Sequence, residues 1–504
     1  MMKKQIFLGI LIILISAAFI MANQTSGYEI NYFIKTYSYK SNLKDVSLLS
    51  IDASYYLVAN LIDENKFINV KISQEGQILS ANKFSYNEGL IINAAIKDNK
   101  GNIVYLGNTE TGKIAIITNS WKKLISYEKE IIGESIAASP TGYLILGKIK
   151  TSESAIVIFI DTNGNILWSK FIETGNTILP VKAIYSYDGS FILLFNLKEK
   201  GILVVKIADT GNIIWSKLLN DSAIQASSII NARDGYIIIG NTNNEGIIIS
   251  LSANGNVISS YSISSGIKLT DIIISIDMGY IISGIFNNYL NDYALIIYLD
   301  NEFKIIKSFY LNIINTSFNK IITSQFSYVF LGDYKSVKNN LLLVKINRDF
   351  SIFASYLKQV NLKISKINLN TLVFEINSSI ANLNNLDFSV TEEQLTLNEI
   401  TIQTTTADPA ATTVTARISP VTTVTYTITP VLNYTTTQTV TNTSTQTLQL
   451  TETNTKLERI FEKEIIPTTT TEIIQDMPLG IALLIILFII SLGIALALFK
   501  PARY

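Results

Sequence analysis

Along most of the chain the hydrophobic residues come in short runs broken by Asn-Gly, Thr-Gly and Asp-Gly turns. That rhythm belongs to strands, not helices. One run recurs, usually opened by a turn and an aromatic. Its copies are SYYLVAN from Ser54, GNIVYLG from Gly101, GYLILG from Gly142, GSFILLF from Gly189, GYIIIG from Gly235, GYIISG from Gly279 and SYVFLG from Ser327. The spacing is about 40 to 48 residues. A weaker copy, NTLVFEI, starts at Asn370.

Each copy is followed by a polar turn and a second apolar strand, as in SAIVIFID, GILVVKIAD and YALIIYLD. A tight turn and a third strand come next, as in TNGNILWSKF and TGNIIWSKLL. The glycines supply the positive φ that such hairpins need. A strand such as ASSIINA precedes each aromatic run, which makes four short antiparallel strands per unit. Four strands in ~45 residues, repeated seven or eight times, predict an all-β fold, a β-propeller. Eight blades is the preferred count and seven the alternative. The N-terminal segment EINYFIKTYSYKSN, from Glu29, matches the last strand of a blade and is expected to complete the last one. The tail from Lys363 to about Val390, including NTLVFEI and LDFSV, is expected to supply that blade's earlier strands. Such closure would protect exposed sheet edges.

The pattern changes at both ends. Lys3 and Lys4 precede an apolar run from Ile6 to Ala22, which reads as a signal peptide over 1–22. Leu479 to Phe499 carries no charge and is long enough to cross a ~30 Å hydrocarbon core. Lys500 and Arg503 follow it, while Glu472 and Asp476 precede it. By the positive-inside rule the chain is a single-pass cell-membrane protein with its C-terminus, 500–504, in the cytoplasm and its remainder outside. The transmembrane helix is assigned to 477–499 and the propeller ectodomain to 28–390. Between them, 391–476 is dominated by threonine and is expected to be a disordered, glycosylated stalk, with a short helix near 456–466. Its Thr-Val-Thr alternation has β-strands as a second reading. N-x-S/T sequons mark Asn23, Asn220, Asn315, Asn377, Asn433 and Asn442 as candidate N-glycan sites.

Composition narrows the chemistry. Lys plus Arg equal Asp plus Glu at 40 each, so no nucleic-acid surface is indicated. The 504-residue chain has neither cysteine nor histidine. That removes disulfides, Ser-His-Asp and Cys-His catalysis, and histidine-held zinc.

IDTNGNILWSKFIETG (Ile160 to Gly175), IADTGNIIWSK (Ile207 to Lys217) and ARDGYIIIGNT (Ala232 to Thr242) resemble a family of prokaryotic surface β-propeller repeats. With the signal, Thr-rich stalk and C-terminal helix, the layout is similar to crenarchaeal cell-surface proteins. The resemblance implies fold and location, since that family has no single activity. Asp209 to Trp215 is also similar to quinoprotein-type repeats, but the spacing is shorter and no quinone is inferred.

Trp168 and Trp215 hold equivalent places in adjacent repeats and could stack on sugars or lock blade to blade, the latter preferred. Asp161, Asn163 and Asn165 form a D-x-N-G-N turn with two readings, a Ca²⁺ loop or a side-chain-stabilised turn, the latter preferred. Asp188, Asp234, Asp271 and Asp277 are carboxylates of the type a glycosidase pairs, although Asp188 and Asp234 repeat in register as turn residues do. No catalytic, cofactor-binding or metal residues are assigned, and no cofactor is expected. The function expected is a membrane-anchored extracellular propeller acting in surface binding, adhesion or association with a surface layer, leaning away from catalysis. Its partners would be membrane lipid through the C-terminal helix, and surface-layer proteins or glycans. The alternative is a membrane-tethered hydrolase or lyase acting on polysaccharide or another external polymer.

Overall fold

The computed structural model describes residues 32–264, 266–324, 327–350, 356–395, 397–406, 412–418, 425–428 and 436–439. The segments assigned to 1–22, 456–466, 477–499 and 500–504, and the sequons at Asn23, Asn433 and Asn442, lie outside them. The described residues contain one 3-10 turn, Ile62–Glu64, no α-helix, and no helix long and apolar enough to cross a membrane.

Seven antiparallel sheets form seven blades. Blade 1 consists of Leu43–Ile51, Ser54–Leu61, Lys66–Ile72 and Ile78–Ser85. Blade 2 consists of Ile91–Lys97, Ile103–Asn108, Ile114–Ile117 and Lys122–Ser126. Blade 3 is Ile131–Ala138, Gly142–Ile149, Ala155–Asp161 and Ile166–Glu173, and blade 4 is Ile178–Tyr185, Phe191–Leu197, Gly201–Ile207 and Ile213–Leu219. Blade 5 is Gln225–Ala232, Gly235–Asn241, Gly246–Ser252 and Val257–Ile263, and blade 6 is Ile267–Ile274, Tyr280–Asn287, Asp292–Leu299 and Ile305–Leu311. Blade 7 takes Thr316–Ser324, Ser327–Lys335 and Asn339–Asn347, and is completed by Phe33–Ser38 from the other end of the chain. The first strands of successive blades touch, and those of blades 7 and 1 touch as well, so the ring closes at seven around a central channel.

The preferred count of eight is therefore corrected to seven. The N-terminal strand does complete the last blade, but the tail builds no blade. It runs backward around the whole ring as a belt and adds an antiparallel fifth strand to the outer edge of each blade in turn. Leu357–Gln359 pairs with blade 6, Ile364–Ile367 with blade 5, Thr371–Val373 with blade 4 and Asn377–Ile380 with blade 3. Asn384–Asp387 then pairs with blade 2, Thr391–Gln394 with blade 1, and Asn398–Thr406 with the N-terminal strand of blade 7. Segments this short cannot bury a blade of their own, but they suffice to cap an edge.

The belt has a period the repeats do not share. Val360 and Leu362, Ile367 and Leu369, Phe374 and Ile376, Ala381 and Leu383, Phe388 and Val390, and Leu395 and Leu397 are apolar pairs whose first members fall at every seventh residue. Each pair packs into a different cluster between neighbouring blades, from blades 5 and 6 back to blades 7 and 1. Tyr356 and Leu357 serve the cleft between blades 6 and 7. Seven extended residues reach ~23 Å, so one heptad carries the chain from one blade edge to the next. This pairing runs past residue 390, because Leu395 and Leu397 fill the last cleft.

The second and third strands of each blade are apolar on both faces because each face meets a neighbouring blade. Gly201–Ile207 is buried throughout. Beyond the belt, Thr412–Ile418 pairs with Asn398–Thr406, and Thr425–Ile428 pairs with Thr436–Thr439.

Truncating a belt peg should loosen the ring. Phe374→Ala and Phe388→Ala are each expected to cost about 1–2 kcal/mol, since both side chains are half-buried. Leu372→Ala, at an exposed belt position, should be nearly neutral. Denaturant titration of the three variants checks the difference.

Candidate functional site in the central channel

Most polar residues of the repeats are consumed in joining blades. The aromatic that opens the second strand reaches back to the preceding blade. Tyr143 Oη donates to Asp98 Oδ2 at 3.1 Å, Tyr236 Oη and Ser186 Oγ share a hydrogen bond of 3.0 Å, and Tyr55 Oη and Ser324 Oγ share one of 2.8 Å. The Asn that closes the same strand reaches forward and grips the backbone of the next blade with both ends of its amide. Asn241 Nδ2 donates to the Leu269 carbonyl at 2.9 Å and Oδ1 accepts from Leu269 N at 2.6 Å. Asn60, Asn108 and Asn196 do the same to Ile92, Gly133 and Ala226. On the outer strands, Ser169, Ser216, Ser260 and Ser308 donate to the carbonyls of Ala381, Phe374, Ile367 and Val360, which ties down the belt.

The tryptophans belong to this set. Trp168 Nε1 donates to the Asp209 carbonyl of blade 4 at 2.6 Å, and Trp121 Nε1 to Thr162 of blade 3 at 2.8 Å. Trp168 lies over the hairpin at Gly211, whose φ is +83° and where an added Cβ would stand 3.0 Å from the ring. Trp215 covers Gly255 in the same way. Both therefore lock blade to blade. The D-x-N-G-N turn is also structural. Asp161 Oδ1 accepts from the Asn163 and Asn165 amides at 2.8 Å, and Oδ2 accepts from Asn165 Nδ2 at 2.9 Å. Burial alone would raise its pKa, but these hydrogen bonds outweigh it and hold the carboxyl below its ordinary range. No group of three His, Cys, Asp or Glu side chains placed to hold a metal occurs among the described residues.

What does not repeat is the lining of the channel. The first strand of every blade carries a β-bulge at one equivalent place, between Asp45 and Ser47 in blade 1 and between Leu269 and Asp271 in blade 6, for example. A bulge turns an extra side chain out of the ladder, and here the charged residues gather around it. Lys182 Nζ of blade 4 donates to Ser228 Oγ of blade 5 at 2.8 Å and lies 3.5 Å from Asp271 Oδ1 of blade 6. Ser228 Oγ donates to the same Oδ1 at 2.9 Å. Burial would raise Asp271, but the charges of Lys182 and then Lys320 hold its carboxyl below the usual range. In blade 3, Glu134 pairs with Lys148 at 2.9 Å and accepts from Asn93 Nδ2 of blade 2 at 3.0 Å. At the seam between blades 7 and 1, Asn319 Nδ2 donates to both Asp45 Oδ1 (2.9 Å) and Asp333 Oδ2 (3.1 Å).

Of the four carboxylates singled out in the sequence, Asp271 alone lies on the first strand of a blade. Asp188 sits in a turn of blade 4, 2.5 Å from Lys206, Asp277 sits in a turn of blade 6 paired with Arg348, and Asp234 is exposed in a turn of blade 5. Asn220 and Asn315 are exposed on the connections leading into blades 5 and 7, and Asn377 is exposed on the belt. Asp45, Glu134, Lys148, Lys182, Ser228, Asn319, Lys320 and Asp333 were not anticipated. The available signal was a broken repeat, since Lys148 and Asp333 stand where other blades have the gripping Asn.

No family model and no curated protein matches the chain. Among solved structures, the chain is similar to BBS1N in its complex with ARL6DN, at 9% identity and TM-score 0.41, covering 64% of this chain and 98% of that one. It is similar to the dihydro-heme d1 dehydrogenase NirN at 8% identity and TM-score 0.42, covering 71% and 75%. It is also similar to Drosophila Semaphorin 1b at 9% identity and TM-score 0.36, covering 62% and 86%. Likenesses this distant carry no argument about activity.

Removing one partner of the channel's charge pair should be costly, because the other charges stay behind. Asp271→Ala is expected to destabilise by about 3 kcal/mol, whereas Asp234→Ala should stay within ~0.5 kcal/mol. Equilibrium unfolding of the two variants tests this.

Proposed function

We propose that this protein is a membrane-anchored extracellular propeller that acts as a surface binding or adhesion module. One observation carries the preference for binding over catalysis. The carboxylates of the inner ring are either paired, as Asp271 and Glu134 are, or shut into the seam, as Asp45 is. What differs between blades and faces solvent is the turns. On the turns between the second and third strands of the adjacent blades 6 and 7, Tyr289, Leu290 and Val337 are 94%, 86% and 99% exposed. Apolar and aromatic side chains of this kind, on loops set by a rigid ring, suit recognition of a partner surface. The placement outside the cell rests on the sequence, namely the charge-free run from Leu479 to Phe499, the basic residues after it and the N-terminal export pattern. Glycans and surface-layer proteins are the partners this reading favours.

The hydrolase reading retains one supporting feature. Asp45 and Asp333 share the Asn319 amide as a donor and form the close carboxyl pair of the ring, although carboxyls within hydrogen-bonding reach of each other stand closer than the ~5–9.5 Å of a glycosidase pair. Their burial in the seam argues against contact with a polymer.

Protease added to intact cells is expected to remove the propeller while leaving the membrane-embedded end behind. The purified full-length protein, screened on glycans and surface polymers, is expected to show saturable binding without turnover. Turnover that disappears in Asp333→Asn would establish the hydrolase instead.

A further inference from the structure

Blade 7 departs from the gripping pattern at the one place where the ring must close on itself. In blades 1, 2, 4 and 5 the grip is an Asn, whose amide donates to a backbone carbonyl and accepts from a backbone N–H. In blade 7 it is Asp333, facing the backbone and side chain of Asp45 in blade 1. An ionised carboxylate only accepts, so it cannot reproduce what the amide does.

Two loose ends sit at this spot. Asp45 Oδ2 and Asp333 Oδ1 are both buried without a hydrogen-bond donor. The two carboxyls are within hydrogen-bonding reach of each other. A single proton on one of them would give that carboxyl a donor and the other a partner, and so satisfy both orphaned oxygens at once. The remaining oxygens are already served by Asn319. We propose that Asp45 and Asp333 hold one proton between them and close the ring as a carboxylic acid–carboxylate latch, which alkali weakens.

The surroundings support this. Lys320, beside Asn319 on the first strand of blade 7, is the cation acting on Asp45, but it is shared with Asp271, which also draws on Lys182. One cation therefore does not offset a fully ionised pair. Burial raises both carboxyls, and the neighbouring Asp45 charge adds to this for Asp333, which is pushed up to about 7. The direction of linkage follows. The folded chain keeps a proton that the unfolded chain gives up near pH ~4. The latch's contribution is complete below that value and is lost as pH rises to about 7. The chain has no histidine, so few other groups titrate in the upper part of this range.

The test compares the full-length protein with Asp333→Asn, which installs the residue that four other blades already use. Between pH 5 and pH 8 the thermal midpoint of the natural protein is expected to fall by about 3 °C more than that of the variant. Native-state hydrogen exchange gives a second readout that does not depend on a well-folded variant. Amides of Leu43–Ile51 and Thr316–Ser324 in the natural protein should lose protection from pH 5 to 8 relative to the equivalent strands of blades 4 and 5, after correction for intrinsic exchange rates. Equal pH dependence of the two midpoints, or uniform protection changes around the ring, would overturn the latch.

Discussion

A propeller blade has two unmet needs at its rim, and in this protein one strand meets both. The outer strand of each blade offers a row of unpaired amides and carbonyls. Neighbouring wedges also diverge outward, which opens an apolar cleft between them. The belt pairs with the first and plugs the second, at a fixed seven-residue step. The hydrophobic clusters between blades are complete only with the belt residues counted in. Belt and ring are therefore one cooperative structure, although they lie far apart in sequence.

In the repeats, many polar side chains of the motif serve a neighbouring blade or the belt. Tyr reaches back, Asn and Trp reach forward, and Ser reaches out to the belt. A residue that recurs is thus a joint. Residues that could recognise something are those that break the pattern, in the channel and in the turns. The chain also begins and ends its circuit on blade 7, where Phe33–Ser38 supplies the fourth strand and Asn398–Thr406 lies against it. The seam that holds Asp45 and Asp333 is consequently where the two ends of the circuit meet.

Much of this was legible in the sequence. The four-strand unit, the propeller and the closing N-terminal strand followed from the recurring aromatic runs and the glycine turns, because those features encode local backbone geometry. A structural role for Trp168 was also legible from its equivalence with Trp215 in the next repeat, and one for Asp161 from the short Asn-rich turn that contains it. The heptad of the belt was present in the sequence but lay unread. NTLVFEI looked like a weak eighth copy, since an apolar pair spaced for a rim cleft resembles an apolar pair spaced for a blade.

The sequence by itself determined the unit, its turns and its repetition, because each depends on residues close together along the chain. Blade number, the path of the tail and the makeup of the channel were decided only by the tertiary structure. Seven is set by how wedge-shaped sheets pack around an axis, and the belt runs backward because the free edges lie on the rim. Lys182, Ser228 and Asp271 come from three blades, and Asp45 and Asp333 from the first and last blades of the sequence, which only ring closure makes neighbours, so no local pattern could have joined them. Ring closure also sharpens the seam. An acid at an amide's position reads in sequence as a conservative change, and becomes a buried, titrating pair only when the ends of the circuit meet.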